Sequence, residues 1–185
     1  MTHLFTPLTL RGTQLRNRIM VAPMCQYSVE DQDGVPTDWH LVHLGAMARG
    51  GAGLVMAEAT SVVPEGRISP QDTGIWSDEQ AQAWQPITSF IASQSAVSAI
   101  QLAHAGNKAS TYRSWSGSGS VPVDQGGWQT VGPSAESFPG LAAPVALSLD
   151  GISNVVTAFA AAARRSLDAG FDVVEVHAAH GYLLH

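Results

Sequence analysis

Apolar residues follow two alternating patterns along this chain. Short runs of strand character fall at 19–22 (IMVA), 54–56 (LVM), 99–102 (AIQL) and 173–176 (VVEV), each bounded by glycine, proline or polar residues. Longer stretches with a helical period lie between them. The first starts at Asp38 behind Thr37, sets Trp39, Val42, Leu44, Ala46 and Met47 largely on one side, and stops at Gly50 and Gly51. The second opens on Ser77, with Asp78 and Glu79 at the positive end of its dipole, and runs to about 95; Pro86 inside it predicts a kink or a later start. The third spans 152–169 with Asp150 as its cap and Gly170 as its stop. Ahead of them all, 8–15 alternates about Arg11-Gly12, as a small hairpin closing one end would.

Strand and helix in alternation predict an α/β fold with a parallel sheet, doubly wound or rolled into a (βα)8 barrel. The first strand-to-helix turn has no GxGxxG, which disfavours a dinucleotide-binding doubly wound sheet. Four strands are half of what an eight-stranded barrel needs. Between 107 and 149 no helical period survives, and the segment is rich in Gly, Ser and Pro. Connections that long are uncommon in compact domains and are often binding loops or lids. Its aromatics, Tyr112, Trp115, Trp128 and Phe138, either pack over a flat ligand or dock on the body.

Composition narrows the function class. Of 185 residues, 45% are hydrophobic and 13% charged, enough apolar surface for a real core. The net charge of -6 argues against nucleic acid and anionic membranes as partners, since no Lys/Arg stripe is present to neutralise phosphates. No apolar run approaches the ~20 residues of a membrane span. The amino terminus lacks a signal-peptide pattern, and the single cysteine, Cys25, cannot form an internal disulfide; both point to the cytoplasm.

Candidate chemistry collects where the apolar runs end, because parallel α/β folds bind substrates at the carboxyl ends of their strands. His177, His180 and Tyr182 follow the fourth run. Two imidazole N–H groups converging on a carbonyl oxygen stabilise the charge it gains on addition, and a phenol delivers the proton. Zinc held by His177 and His180 with His104 or His185 is the rival, a metal hydrolase, although no HExxH and no carboxylate partner supports it. Cys25 sits in the loop after the first run, where it either reaches the site or serves as a small buried hydrophobe. Gln101 ends the third run with a donor and an acceptor of the kind that reads a heterocyclic edge. Glu58 and Glu175 have a structural reading beside a site reading.

The segments PMCQYS at 23–28, EGRISPQDTGIWSDE at 65–79, QLAHAGNKAS at 101–110 and AGFDVVEVHAAHGYLLH at 169–185 together resemble the Old Yellow Enzyme family, in its bacterial branch of NADPH dehydrogenases and xenobiotic reductases. The resemblance runs the whole length of the chain, in order. It implies the amino-terminal half of a (βα)8 TIM barrel with a leading β-hairpin, so that 1–185 is a partial FMN-binding domain ending after its fourth strand. It also implies FMN as cofactor and NAD(P)H as reductant. The implied substrate is an α,β-unsaturated carbonyl or nitro compound, and homo-oligomers are an expected partner class. By the same resemblance Ala22, Pro23, Met24, Cys25, Ala59 and Gln101 would line the flavin, Tyr27 would border the substrate, His177 and His180 would bind its oxygen, and Tyr182 would protonate it. The family's phosphate contacts would lie beyond His185, so the alternative is an inactive or unstable fragment that works only with a partner half.

Overall fold

The structure, a computed structural model, describes residues 3–185. The alternation at 8–15 folds into an antiparallel hairpin, β1 (Leu8–Leu10) against β2 (Thr13–Leu15), with Arg11 at φ +53° in the turn. A short β3 (Met20–Val21) leads through a loop to α1 (Asp38–Arg49), then β4 (Leu54–Ser61), α2 (Asp78–Ser93) and β5 (Val97–Ala103). The long connection contains only 3-10 turns and a two-stranded parallel pair, β6 (Val131–Gly132) with β7 (Val145–Ala146). The α3 helix (Leu149–Asp168) and β8 (Val173–Val176) follow. Strands β3, β4, β5 and β8 form one all-parallel sheet in that order, each joined to the next by a crossover that carries a helix.

Three differences from the pattern-based expectation matter most. β4 is eight residues long rather than three, so 57–60 belong to the strand and not to a loop beyond it. The cap of α3 is Ser148, whose hydroxyl accepts the Gly151 N–H at 3.1 Å, and Asp150 lies inside the first turn. The α2 helix starts at its Ser77 cap and runs unbroken past Pro86. Gln80 explains why the early start holds: its Oε1 accepts the N–H groups of Trp76 (2.8 Å) and Ser77 (3.1 Å), while its own N–H bonds the Ser77 hydroxyl.

The helices cover one face of the sheet. Trp84, fully buried, meets Phe171 edge-on at 5.5 Å and His40 at 6.0 Å, within a core that also holds Val55, Ala57, Ile100 and Leu102. On the other face Leu15 plugs the amino-terminal end against Leu54, Val97 and Ala99. Arg16 then fastens the hairpin to the body. Its guanidinium donates to the carbonyls of Ala48 (2.8 Å), Ala52 (2.9 Å) and Gln94 (2.7 Å), tying down the ends of α1 and α2, which leave carbonyls unpaired. Replacing Arg16 with Met is expected to lower unfolding free energy by about 2–4 kcal/mol, since charged hydrogen bonds to three carbonyls are lost together. The exposed Arg11→Met control should change it by less than ~0.5 kcal/mol. Urea titration of both variants reads the difference, and equal midpoints would remove Arg16 from this role.

Candidate active site

Side chains alternate along a strand, so one parity of each strand faces the helices and the other faces the sheet's inner side. On β5, Ile100 and Leu102 are helix-side while Val97 and Ala99 are inner, which turns Gln101 inward at the carboxyl end. On β8, Val174 is helix-side and Val173 inner, so Glu175 and then His177 follow on the inner side. β4 starts the same way, with Leu54 and Met56 inner and Val55 and Ala57 helix-side, and strict alternation would send Ala59 to the helices. Instead the register shifts between Ala57, opposite Ile100, and Ala59, opposite Gln101. Glu58 is the extra residue of a β-bulge, and Ala59 returns to the inner side.

Pro23, Cys25, Ala59, Ile68, Gln101, His177, His180 and Tyr182 therefore line one cleft of about 140 Å³ at the carboxyl ends of the strands. Ala22 and Met24 are exposed at the same strand end and do not line the cleft. Tyr27 stands beside it, its phenol in contact with the Cys25 thiol.

Burial controls the chemistry of the floor. The Cys25 thiol is pushed up to about 12 by burial, with the negative charges of Asp72 and Glu58 adding to the effect, so it is a neutral thiol at ordinary pH. Glu58, 3% exposed, accepts the Gln26 N–H at 2.6 Å and so anchors the Cys25 loop to β4. His40 Nδ1 accepts the Thr37 N–H (2.9 Å), which leaves Nε2 to face the interior. That nitrogen lies 3.0 Å from Glu58 Oε1 but off the hydrogen-bond axis, a close polar contact rather than a strong bond. Asp72 is buried beneath the site, and burial raises its carboxyl to about 7, against the pull of the Ile68 and Ser69 groups that bond it.

The opposite wall is set by the turn after β8. His177 donates its N–H to the Leu102 carbonyl (2.9 Å), extending the β5–β8 ladder by one residue. His180 and Gly181 are both left-handed, φ +60° and +68°, and fold Tyr182 back over His177 with ring centres 5.1 Å apart; His180 lies 5.3 Å from His177. Lys108 holds this turn, donating to the His180 carbonyl at 2.6 Å with its ammonium 4.4 Å from the Tyr182 ring centre. Burial and the neighbouring His180 keep His177 below the usual imidazole range, so it is a neutral hydrogen-bond donor near pH 7. Burial lifts the Tyr182 phenol to about 12.

The zinc arrangement does not form. Among the described residues no cluster of three or more His, Cys, Asp or Glu side chains could hold a metal ion. His104 lies in the interior with Nδ1 accepting the Gly106 N–H, and burial drives it down to about 4; His185 Nδ1 accepts the Gly181 N–H. Both rings are engaged in backbone turns.

Ile68, Asp72, Lys108 and His40 join the site although none is singled out by the sequence; the first three lie within the segments 65–79 and 101–110, and no periodic signal marks any of them. The first two lie on a loop built around Arg67, whose guanidinium is placed between Trp76 (5.4 Å) and Trp128 (4.9 Å) and donates to the carbonyls of Gln32, Pro64 and Pro70. The loop aromatics divide: Trp128 Nε1 bonds the Glu65 carbonyl and the Tyr112 hydroxyl bonds Gln125, whereas Trp115 leans on Tyr27 and Phe138 lies 4.9 Å from the Lys108 ammonium.

Four parallel strands joined through helices, with a cleft at their carboxyl ends, form a βα-repeat architecture of the kind that builds (βα)8 barrels. The profile of the NADH:flavin oxidoreductase / NADH oxidase family matches residues 3–185, and the chain belongs to that family. It is 48% identical over its full length to an NADH:flavin oxidoreductase of Gibberella zeae, covering 45% of that protein, and 47% identical over 99% of its length to the NADPH dehydrogenase of Bacillus cytotoxicus, covering 49%. Among solved structures, morphinone reductase superposes with a TM-score of 0.84 at 32% identity, over 98% of this chain and 49% of that one. An old yellow enzyme homologue from Zymomonas mobilis gives 0.83 at 35% identity, over 97% and 49%. The chain thus spans about half the length of the relatives it matches.

The raised thiol yields a direct expectation. At pH 8 a group titrating near 12 is ionised about a thousandfold less than one at the ordinary 9.0, so alkylation of Cys25 by iodoacetamide should run roughly three orders of magnitude slower than that of a free thiol. A pH–rate profile rising with a midpoint below 9 would show the thiol to be ordinary or activated.

Proposed function

We propose that this chain supplies the substrate-polarising wall and part of the ring-binding floor of an FMN-dependent NAD(P)H oxidoreductase acting on alkenes activated by a carbonyl or nitro group. The reading rests on one observation: His177, His180 and Tyr182 face Pro23, Cys25, Ala59 and Gln101 across one cleft. The donor set suits a flat heteroaromatic ring. The floor is small and uncharged, and the Gln101 amide has its Nε2 tied to Glu175 Oε1 at 2.6 Å, leaving its oxygen as an acceptor for a ring N–H. Pro23, Cys25, Ala59 and Gln101 would hold the ring, with Ala22 and Met24 on the exposed rim beside it. Residues 1–185 are then part of an FMN-binding barrel domain, with further strand–helix units completing the edges at β3 and β8. A free thiol in the site and a nicotinamide reductant both suit the cytoplasm.

Bound FMN supplies hydride transfer between the nicotinamide and the substrate's β-carbon. The residues of this chain do the rest. His177, neutral, and His180 donate hydrogen bonds to the substrate oxygen as negative charge accumulates there. Tyr182 keeps its proton to high pH and gives it to the α-carbon. Tyr27, whose phenol burial also pushes upward, borders the substrate as a neutral donor.

In the full-length protein a flavin absorbance band should accompany purification. Tyr182→Phe should slow reduction of an enone about 10²-fold or more, because a positioned acid is lost. Flavin reduction by NAD(P)H should stay within about twofold, since that half-reaction needs no proton from Tyr182. Rapid-mixing measurement of the two half-reactions separates the effects. A full-length product that takes up no FMN would end this reading.

A further inference from the structure

Resting on that reading, we infer that Trp115, held by an Arg113 latch on the Tyr27 backbone, is a specificity-determining wall that stacks the ring of aryl-bearing electrophiles. Tyr27 stands beside the cleft, in contact with the Cys25 thiol, and adopts φ +51°, a left-handed backbone that a bulky residue keeps only when its surroundings hold it. Arg113 does the holding from 86 positions away: its Nη1 donates to the Tyr27 carbonyl at 3.0 Å and to Glu30 Oε1 at 2.6 Å. Glu30 is 70% exposed, so the carbonyl bond is the more selective half of the latch.

The same arginine sets Trp115. Its guanidinium carbon lies 5.5 Å from the Trp115 ring centre, and the Trp115 ring meets Tyr27 edge-on at 6.0 Å and 66°. The short turn beneath is framed by Ser116 N–H to the Arg113 carbonyl and by Tyr112 N–H to the Gly119 carbonyl. Trp128 bonds the body and Tyr112 bonds Gln125 within the connection, whereas Trp115 is 66% exposed and its Nε1 bonds no described residue. An ordered indole, propped by a tyrosine and an arginine with most of its surface free, is a stacking platform. Tyr182, which lines the cleft, and Phe138 flank the Lys108 ammonium at 4.4 and 4.9 Å. A substrate whose activated alkene sits at His177 and His180 and whose aryl ring extends outward would lie between these two aromatic edges.

The test uses the full-length flavin-loaded enzyme and two nitroalkenes, β-nitrostyrene and the small 1-nitropropene. Trp115→Ala should raise KM for nitrostyrene about tenfold with kcat little changed, and should leave nitropropene within about twofold. Arg113→Met should shift the ratio in the same direction, and Arg113→Lys should restore part of it. A second arm reads binding without turnover: titration with 4-phenyl-2-butanone should quench tryptophan fluorescence in the wild type and lose that component in Trp115→Phe. Equal losses on both nitroalkenes, or quenching unchanged in Trp115→Phe, would overturn the wall. Ketone binding that quenches Trp115 in a protein that reduces neither nitroalkene would sink the reductase reading and leave the wall standing.

Discussion

The site depends on strand parity and on the one place where parity is broken. Gln101, Glu175 and His177 reach the cleft because β5 and β8 alternate strictly, with Gln101 opposite Glu175 in the register. β4 could not join them without the bulge at Glu58, which turns Ala59 inward beside Cys25. A bulge leaves one residue outside the ladder, and here that residue is a carboxylate that captures the Gln26 N–H and stands against His40. The irregularity that aims Ala59 thus also fixes the loop carrying the thiol. A regular β4 would lose the floor and the anchor together.

Around that frame the cleft is kept poor in mobile charge. Burial holds Cys25, Tyr27 and Tyr182 in their protonated forms and His177 in its neutral form, so these four groups are hydrogen-bond donors without net charge. Charge is moved one layer away. Lys108 acts on the His180 carbonyl and the Tyr182 ring, and Arg113 on the Tyr27 carbonyl. Neutral donors held in place by charged supports would suit an oxygen that gains negative charge only during reaction, because they are already oriented when that charge develops.

Most of the frame was legible in the sequence, because the four apolar runs and the capped helices are local patterns. The hairpin, the parallel order and the strand-end position of His177, His180 and Tyr182 followed from spacing and glycine stops. Three features were not legible, for different reasons. The cap of α3 went to Ser148 because a serine two residues earlier competes with Asp150 and its hydroxyl reaches the Gly151 N–H. Pro86 looked like a break, yet capping at Ser77 and packing of Trp84, Ile87 and Ile91 outweigh the one lost ladder bond. Lys108, Arg113 and Asp72 act through contacts across 72, 86 and a few residues respectively, and nothing periodic marks such pairs.

The same reasoning explains how the long connection can be irregular and still ordered. It lacks a helix or a sheet of its own beyond β6 and β7, so its backbone polar groups need partners elsewhere. Thr111 N–H goes to the Ile68 carbonyl, Val121 N–H to Ser110, Trp128 N–H to the Ser110 hydroxyl and Trp128 Nε1 to Glu65. Two arginines close the remaining gap: Arg67 between Trp76 and Trp128, and Arg113 between Tyr27, Glu30 and Trp115. Each guanidinium bonds carbonyls in its plane while its face meets an indole, a combination of planar donors and a stacking surface that lysine cannot supply. The loop therefore holds Trp115 against Tyr27 as a fixed surface, and its order comes from side chains reaching the strand-end loops rather than from repeating backbone structure.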